Sequence, residues 1–125
     1  MGFLSFLRHK NIPLKERLDK MFDSMFPKGE KDVNAGTKEL LCILNNKIDY
    51  GTARTIFLKS IAISRIAKEF DKERLKIHLT GYCIHHFNEA QIEKYYNYLV
   101  ALSTAMLIHN RTPSEVRRVG DAYVW

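Results

Sequence analysis

The feature of this sequence that most limits its fold is the spacing of its apolar residues, which recur at steps of three and four along nearly the whole chain. This is the period of an α-helix with one apolar face. Three prolines and six glycines in 125 residues leave few interruptions. No five residues alternate cleanly between apolar and polar, as a half-buried strand requires. The sequence therefore predicts an all-α fold without β-strands.

Capping residues divide the apolar pattern into five long helices. Asp32, Asp49 and Asp71 stand where an N-cap is expected. Asn88 and Gln91 have the spacing of a capping box, which predicts the start of another helix. The predicted segments are Pro13 to Phe26, Asp32 to Asn45, Asp49 to Phe70, Asp71 to His86 and Asn88 to His109.

Two further local signals modify this pattern. Gly81 interrupts the fourth segment, at a cost of about 1 kcal/mol relative to alanine. Near the end of the chain, the sequence Thr112-Pro-Ser-Glu115 combines a cap, a proline suited to the first helical position and a reciprocal glutamate. This combination predicts a short sixth helix that reaches about Ala122.

The length of the chain and its short connections predict one domain. A chain of 125 residues has the common size of a single domain. Short connections between long helices favour a compact bundle of five to six helices with mostly antiparallel neighbours. We predict a single helical domain over residues 1–125, with residues 1–12 as an N-terminal arm. The apolar residues of this arm either dock on the bundle or bind a partner or a membrane surface: Phe3, Leu4, Phe6 and Leu7.

No segment has the pattern of a secretory signal or of a membrane span. The N-terminal apolar run is too short for a signal, and its positive charges follow the run. The longest apolar stretch, residues 98–108, is about half of what a membrane span needs. Cys42 and Cys83 each fall inside an apolar helical pattern, so we predict two small buried hydrophobic residues in a reducing compartment. The expected location is the cytoplasm.

The helical pattern also predicts which side chains form the core. The residues expected to be nearly fully buried lie on the main apolar faces: Leu40, Leu44, Ile63, Phe70, Leu79, Leu99, Leu102 and Met106. Tyr95 and Tyr96 lie on the same face of the fifth segment, so packing is their expected role. Tyr98, Tyr123 and Trp125 are the aromatic residues predicted to be exposed anchors.

No motif in the sequence indicates an enzyme, a cofactor or a metal. The phosphate-binding loop, the dinucleotide fingerprint, the nucleophile elbow and the zinc-protease motif are all missing. Cys83 and His86 are three residues apart, but two ligands from one helix do not complete a zinc site. His86 is predicted to face the core, and His78 and His85 to be partly exposed. We expect a non-enzymatic protein without cofactor or bound metal.

The third predicted helix carries the most informative surface pattern. Between residues 54 and 80, seven basic and three acidic side chains give a net charge of +4. Four basic residues fall within about 60° of one another at 100° per residue, and three apolar residues are interleaved with them. The basic residues are Arg54, Arg65, Lys68 and Lys72, and the apolar ones are Phe57, Leu58 and Ile61.

This stripe has three interpretations. Arginine beside exposed apolar residues is typical of a protein-binding hot spot. The same stripe is also suited to contact phosphates, or other helices cover the apolar residues while the basic side chains extend over them. With Trp125 added to the stripe as an anchor, we predict an adaptor, or an inhibitor of the immunity-protein kind, that blocks an acidic patch on a partner protein. Nucleic-acid binding through the same face is the alternative.

Overall fold

Five α-helices lie in the part of the chain that the computed structural model describes, residues 14–66, 71–81 and 86–125. They are α1 (Leu14–Met25), α2 (Glu30–Ile43), α3 (Tyr50–Ile66), α4 (Lys72–Thr80) and α5 (Glu89–Leu107). A 3-10 turn (Pro113–Glu115) and two short strands, β1 (Arg117–Val119) and β2 (Ala122–Val124), follow α5. The prediction of an all-α bundle of about five helices is confirmed, whereas the prediction that no β-strand forms is wrong for this short hairpin. The predicted N-terminal arm lies outside the described residues.

Side-chain caps begin three helices where the sequence predicts them. Asp49 and Asp71 each accept a hydrogen bond from the backbone N–H three residues further on, at 3.1 and 2.9 Å. Asn88 and Gln91 form a reciprocal capping box with distances of 2.8 and 3.0 Å. These bonds satisfy N–H groups that have no partner within the first turn of a helix. At the other end of α4, Gly81 is the C-cap, and residues 82–85 of the predicted fourth segment lie outside the described residues.

The N-cap prediction for Asp32 is wrong, because α2 begins two residues earlier. Gly29 precedes the helix with a φ of 61°, a conformation that glycine adopts without steric strain. Asp32 is therefore inside the first turn, where it is fully buried. Its carboxylate accepts hydrogen bonds from the backbone N–H groups of Lys28 at 2.8 Å and Ser114 at 3.1 Å. Asp32 thus joins the turn between α1 and α2 to the 3-10 turn after α5.

The prediction of a sixth helix reaching Ala122 is also wrong. Thr112 and Glu115 form the expected capping box, but the box encloses only one 3-10 turn. Val116 is extended, with φ −86° and ψ 124°. Gly120, with a φ of 63°, is the first residue of a two-residue turn, the position that favours glycine in a type II′ hairpin. The hairpin pairs Arg117 with Val124, Arg118 with Tyr123, and Val119 with Ala122. The Gly-Asp pair between apolar residues was the signal of this turn in the sequence.

One cluster of buried side chains includes residues from all five helices. Five of the eight predicted core residues are fully buried, namely Leu40, Leu44, Leu79, Leu99 and Leu102. Ile63 and Met106 are only half-buried. Each lies in the last turn of its helix, where fewer neighbouring elements cover a side chain, so the prediction of near-complete burial is wrong for these two. Phe70 lies outside the described residues.

The approach of α2 to α3 depends on a glycine. α2 packs against α3, α5 and the 3-10 turn. A Cβ atom at Gly36 would overlap the aromatic ring of Phe57 on α3. That ring is fully buried and has the rings of Phe26 and Tyr98 as neighbours, with centroid distances of 6.0 and 6.4 Å. The ring is therefore held on several sides, and it has little room to move away from a larger residue 36.

We expect Gly36→Ala to lower the free energy of unfolding by about 1–3 kcal/mol, the usual cost of adding a methyl group to a packed core. Helix propensity alone predicts the opposite sign, since alanine is better than glycine in a helix by about 1 kcal/mol. The double variant Gly36→Ala/Phe57→Leu removes the overlapping ring. We expect its loss of unfolding free energy to be smaller than the sum of the losses of the two single variants. Urea denaturation measures the free energy of unfolding of all these variants. A Gly36→Ala variant as stable as the unmodified chain would contradict this packing.

Candidate partner-binding surface

The apolar residues of the predicted stripe on α3 do not form a surface. Phe57 and Ile61 are fully buried, and Leu58 is partly buried against the same core. α2, α4 and α5 all pack against α3. Other helices therefore cover these apolar residues, which is the third of the interpretations given for the stripe. A partner cannot reach Phe57 or Ile61 on the folded chain, and their prediction as partner-binding residues is wrong.

The basic residues of the stripe are partly engaged in ion pairs. Arg54 Nη2 lies 2.6 Å from Glu30 Oε1. Lys72 belongs to α4 and not to α3 as predicted, and its Nζ lies 3.5 Å from Glu93 Oε1. Exposed pairs of this kind stabilise a fold little, but each one reduces the positive charge that a partner meets. Lys68 and the side chain of Arg65 lie outside the described residues. The described part of α3 therefore does not present the combined basic and apolar surface that its sequence predicts.

Tyr98 is predicted to be an exposed anchor, and this prediction is wrong. Its side chain is only 2% exposed, and this burial raises the pKa of its hydroxyl well above the usual value. The ring of Tyr123 covers it, with ring centroids 5.0 Å apart. Phe57 on α3 also packs against it at 6.4 Å, and the Tyr123 contact exists because a hairpin forms where the sequence predicted a helix. Tyr95 is fully buried and Tyr96 half-buried, in keeping with the packing role predicted for both.

Glu39 on α2 anchors the hairpin to the bundle. Its Oε2 atom accepts hydrogen bonds from Nε of Arg118 at 3.0 Å and from the hydroxyl of Tyr123 at 2.7 Å. The Glu39 side chain is 16% exposed, so water screens these bonds less than it screens ordinary surface pairs. Glu39 raises the pKa of Arg118. Burial and the bond to Glu39 together raise the pKa of Tyr123.

Cys42 lies beside this anchor and is exposed, so the prediction that it is buried is wrong. Nη2 of Arg118 donates to its Sγ at 3.0 Å. Cys83 and His85 lie outside the described residues. His86 and His78 are both half-buried, and burial followed by the charge of Lys59 lowers the pKa of His78. No group of three or more potential metal ligands occurs among the described residues.

An exposed apolar surface lies where the hairpin meets the end of α5. Leu107 and Ile108 are 62% and 73% exposed, and Trp125 is 40% exposed. The ring of His109 lies 5.3 Å from that of Trp125, which brings the end of the chain close to the end of α5. We name Leu107, Ile108 and Trp125 the C-terminal patch. Trp125 belongs to the predicted site, whereas Leu107 and Ile108 had no sequence signal, because both continue the apolar pattern of α5.

A polar cleft lies at the other end of the hairpin. It has a volume of about 420 Å³, within the range of ligand-binding pockets. Three elements form its walls: the end of α2, the first half of α5 and the turn of the hairpin. Its polar lining residues are Cys42, Asn45, Asn88, Gln91, Lys94, Asn97, Arg118, Asp121 and Tyr123. The sequence did not predict the cleft, because it exists only where the hairpin folds back.

Comparison with protein-family models, with curated protein sequences and with solved structures finds no match to this chain. Within residues 14–66, 71–81 and 86–125, no helix has both the length and the apolar character needed to span a membrane.

Proposed function

We propose that this chain is a non-enzymatic protein-binding domain, and that its C-terminal patch binds an acidic surface of a partner protein. The observation that carries this proposal is the exposed Trp125, whose ring lies 5.3 Å from that of His109, the residue directly after the exposed Leu107 and Ile108 in the chain. Tryptophan is among the residues most enriched at binding hot spots. Of the eight large apolar side chains that are exposed in the described residues, six lie between positions 100 and 125. An exposed apolar patch is typical of an interaction site.

Charge supports an acidic partner. The chain has a net charge of +6, and complementary charge speeds association and selects among partners. Arg117 on β1 is exposed and forms no ion pair with any described residue. Its charge is therefore available at the edge of the hairpin that carries Trp125. By covering such a surface the domain would act as an adaptor, or as an inhibitor of the immunity-protein kind that blocks access to its partner.

Nucleic-acid binding through α3 is the alternative function. It depends on basic side chains that are free to contact phosphates, whereas Arg54 and Lys72 are paired with glutamates. A protein partner is favoured because the C-terminal patch is apolar, and phosphate groups gain little from contact with Leu107 or Ile108. The two functions differ in their dependence on salt and on nuclease.

Affinity capture from the native host, with and without nuclease, tests the proposal when a matched pair of variants is included. Ile108→Asp places a charge in the C-terminal patch. Ile77→Asp makes the same change at a residue of α4 that is 74% exposed. We expect one protein to be retained by the unmodified chain and by Ile77→Asp, with or without nuclease. Its recovery by Ile108→Asp should fall at least about fivefold, since one central apolar contact contributes about 1–4 kcal/mol.

Fluorescence then localises the contact, because Trp125 is the only tryptophan of the chain. Adding the purified partner should shift the emission of Trp125 to shorter wavelength as the ring is buried. Equal recovery of the partner by Ile108→Asp and Ile77→Asp would place the binding surface elsewhere. Tight nucleic-acid binding that weakens steeply between about 50 and 200 mM salt, with loss of the captured protein after nuclease treatment, would favour the alternative.

A further inference from the structure

The polar cleft presents side chains that have no partner among the described residues. The amide groups of Asn45 and Asn97 are exposed and make no hydrogen bond with any described residue. Each amide offers one acceptor and two donor hydrogens, which is the set needed to pair with the N–H and C=O of a peptide bond. They belong to different walls of the cleft, Asn45 after α2 and Asn97 on α5. A chain lying between them would meet an amide on either side.

The cleft also offers positive charge. Lys94 lies one helical turn before Asn97, is exposed, and forms no ion pair within the described part of the chain. Arg118 contributes a second cation, although Glu39 already engages its Nε. Asp121 in the hairpin turn is the acidic residue of the lining. An acidic group in the cleft would be attracted to Lys94 and repelled by Asp121, which orients a bound segment.

The cleft and the C-terminal patch lie at opposite ends of the hairpin. Asp121 lines the cleft, Tyr123 covers Tyr98, and the ring of Trp125 lies beside His109. β2 therefore runs along α5 from the cleft to the patch. At about 3.3 Å per residue, the distance from residue 121 to residue 125 is about 13 Å. Four to five residues of an extended peptide span a similar distance, so one partner can cover both ends.

We infer that the cleft binds an extended acidic segment of the partner protein, with amide side chains on its backbone and Lys94 on a carboxylate. This inference rests on the proposed protein-binding function and names the part of the partner that is recognised. It assigns apolar contact to the C-terminal patch, and charge and backbone recognition to the cleft. The two contributions are separable by experiment, because no residue belongs to both sites.

The test uses the full chain labelled with ¹⁵N and a pool of capped pentapeptides that alternate Asp or Glu with Ala, Leu or Tyr. A control pool has Asn or Gln in place of the acids. We expect the acidic pool to shift the side-chain amide signals of Asn45 and Asn97, and the control pool to shift them much less. Lys94→Glu should weaken binding about threefold to tenfold, because reversal replaces an exposed attraction by a repulsion. Lys31→Glu, an exposed residue in the first turn of α2, makes the same change away from the cleft and should have little effect.

Asp121→Asn gives an effect of opposite sign, since it removes the repulsive carboxylate and should tighten binding of the acidic pool. Shifts of equal size with both pools, unchanged affinity in Lys94→Glu, or no shift of the Asn45 and Asn97 signals at millimolar peptide would each overturn the inference. The proposed function is judged separately by the capture of a protein with Ile77→Asp but not with Ile108→Asp. If that capture succeeds and the peptides do not bind the cleft, only the inference about the cleft fails.

Discussion

Replacement of Leu102 by alanine is expected to lower the free energy of unfolding by about 2–5 kcal/mol. The side chain is fully buried on α5, within the cluster that joins all five helices. Its truncation removes apolar contact and leaves a cavity that neighbouring side chains fill only in part. Such a loss is a large part of the total stability of a domain this size.

Leu107→Ala is the matched control, because it makes the same substitution on the same helix at a side chain that is 62% exposed. We expect it to change the free energy of unfolding by no more than about 0.5 kcal/mol. Denaturation in urea, followed by circular dichroism, compares the two variants. Similar losses of stability for Leu102→Ala and Leu107→Ala would show that the buried face of α5 is assigned incorrectly.

Asp32→Ala is expected to cost about 2–5 kcal/mol, because it leaves two backbone N–H groups without their acceptor. These groups belong to Lys28 and Ser114, and a hydrogen bond to a charged group contributes about 1.5–3 kcal/mol. Asp32→Asn turns an NH₂ group toward one of the two donors but keeps a carbonyl oxygen as acceptor for the other. Its loss of unfolding free energy should therefore be smaller than that of Asp32→Ala. Asp23→Ala, at an exposed carboxylate of α1, controls for the loss of an acidic residue and should cost little.

Amide hydrogen exchange distinguishes this role from a general loss of stability. In Asp32→Ala, the 3-10 turn loses its attachment to α2. The exchange rate of the Ser114 amide should therefore increase by more than the loss of global stability predicts. The amides at the centre of α5 should change only with the global stability. Unchanged exchange of Ser114 in the variant would contradict the proposed link between these elements.

Most of the helical architecture was predictable from the sequence, because the signals are local. The caps at Asp49, Asp71 and Asn88 form hydrogen bonds within three residues of their own position. The apolar period identified Leu40, Leu99 and Leu102 as core residues, since a continuous apolar face has to be buried in any compact arrangement. These features depend little on which other element covers the helix.

The candidate binding surface was less predictable, because exposure depends on which elements pack together. α3 is apolar nearly all round its middle, and the sequence does not specify how many neighbours cover it. Contacts from α2, α4 and α5 bury Phe57 and Ile61 and remove the predicted stripe. Trp125 is the predicted residue that remains part of the proposed site.

The sequence by itself determined the helical class, most helix boundaries and the main core face, through short-range hydrogen bonding and apolar periodicity. Only the tertiary structure decided the role of Asp32, whose partner Ser114 is far away along the chain. It also decided the conformation of the last residues. The capping box at Thr112 begins only a single turn, and the hairpin that follows is held on α2 by the hydrogen bonds of Glu39 to Arg118 and Tyr123. The physical reason is that a cap specifies where a turn begins, whereas the length of the following segment depends on whether distant residues stabilise it.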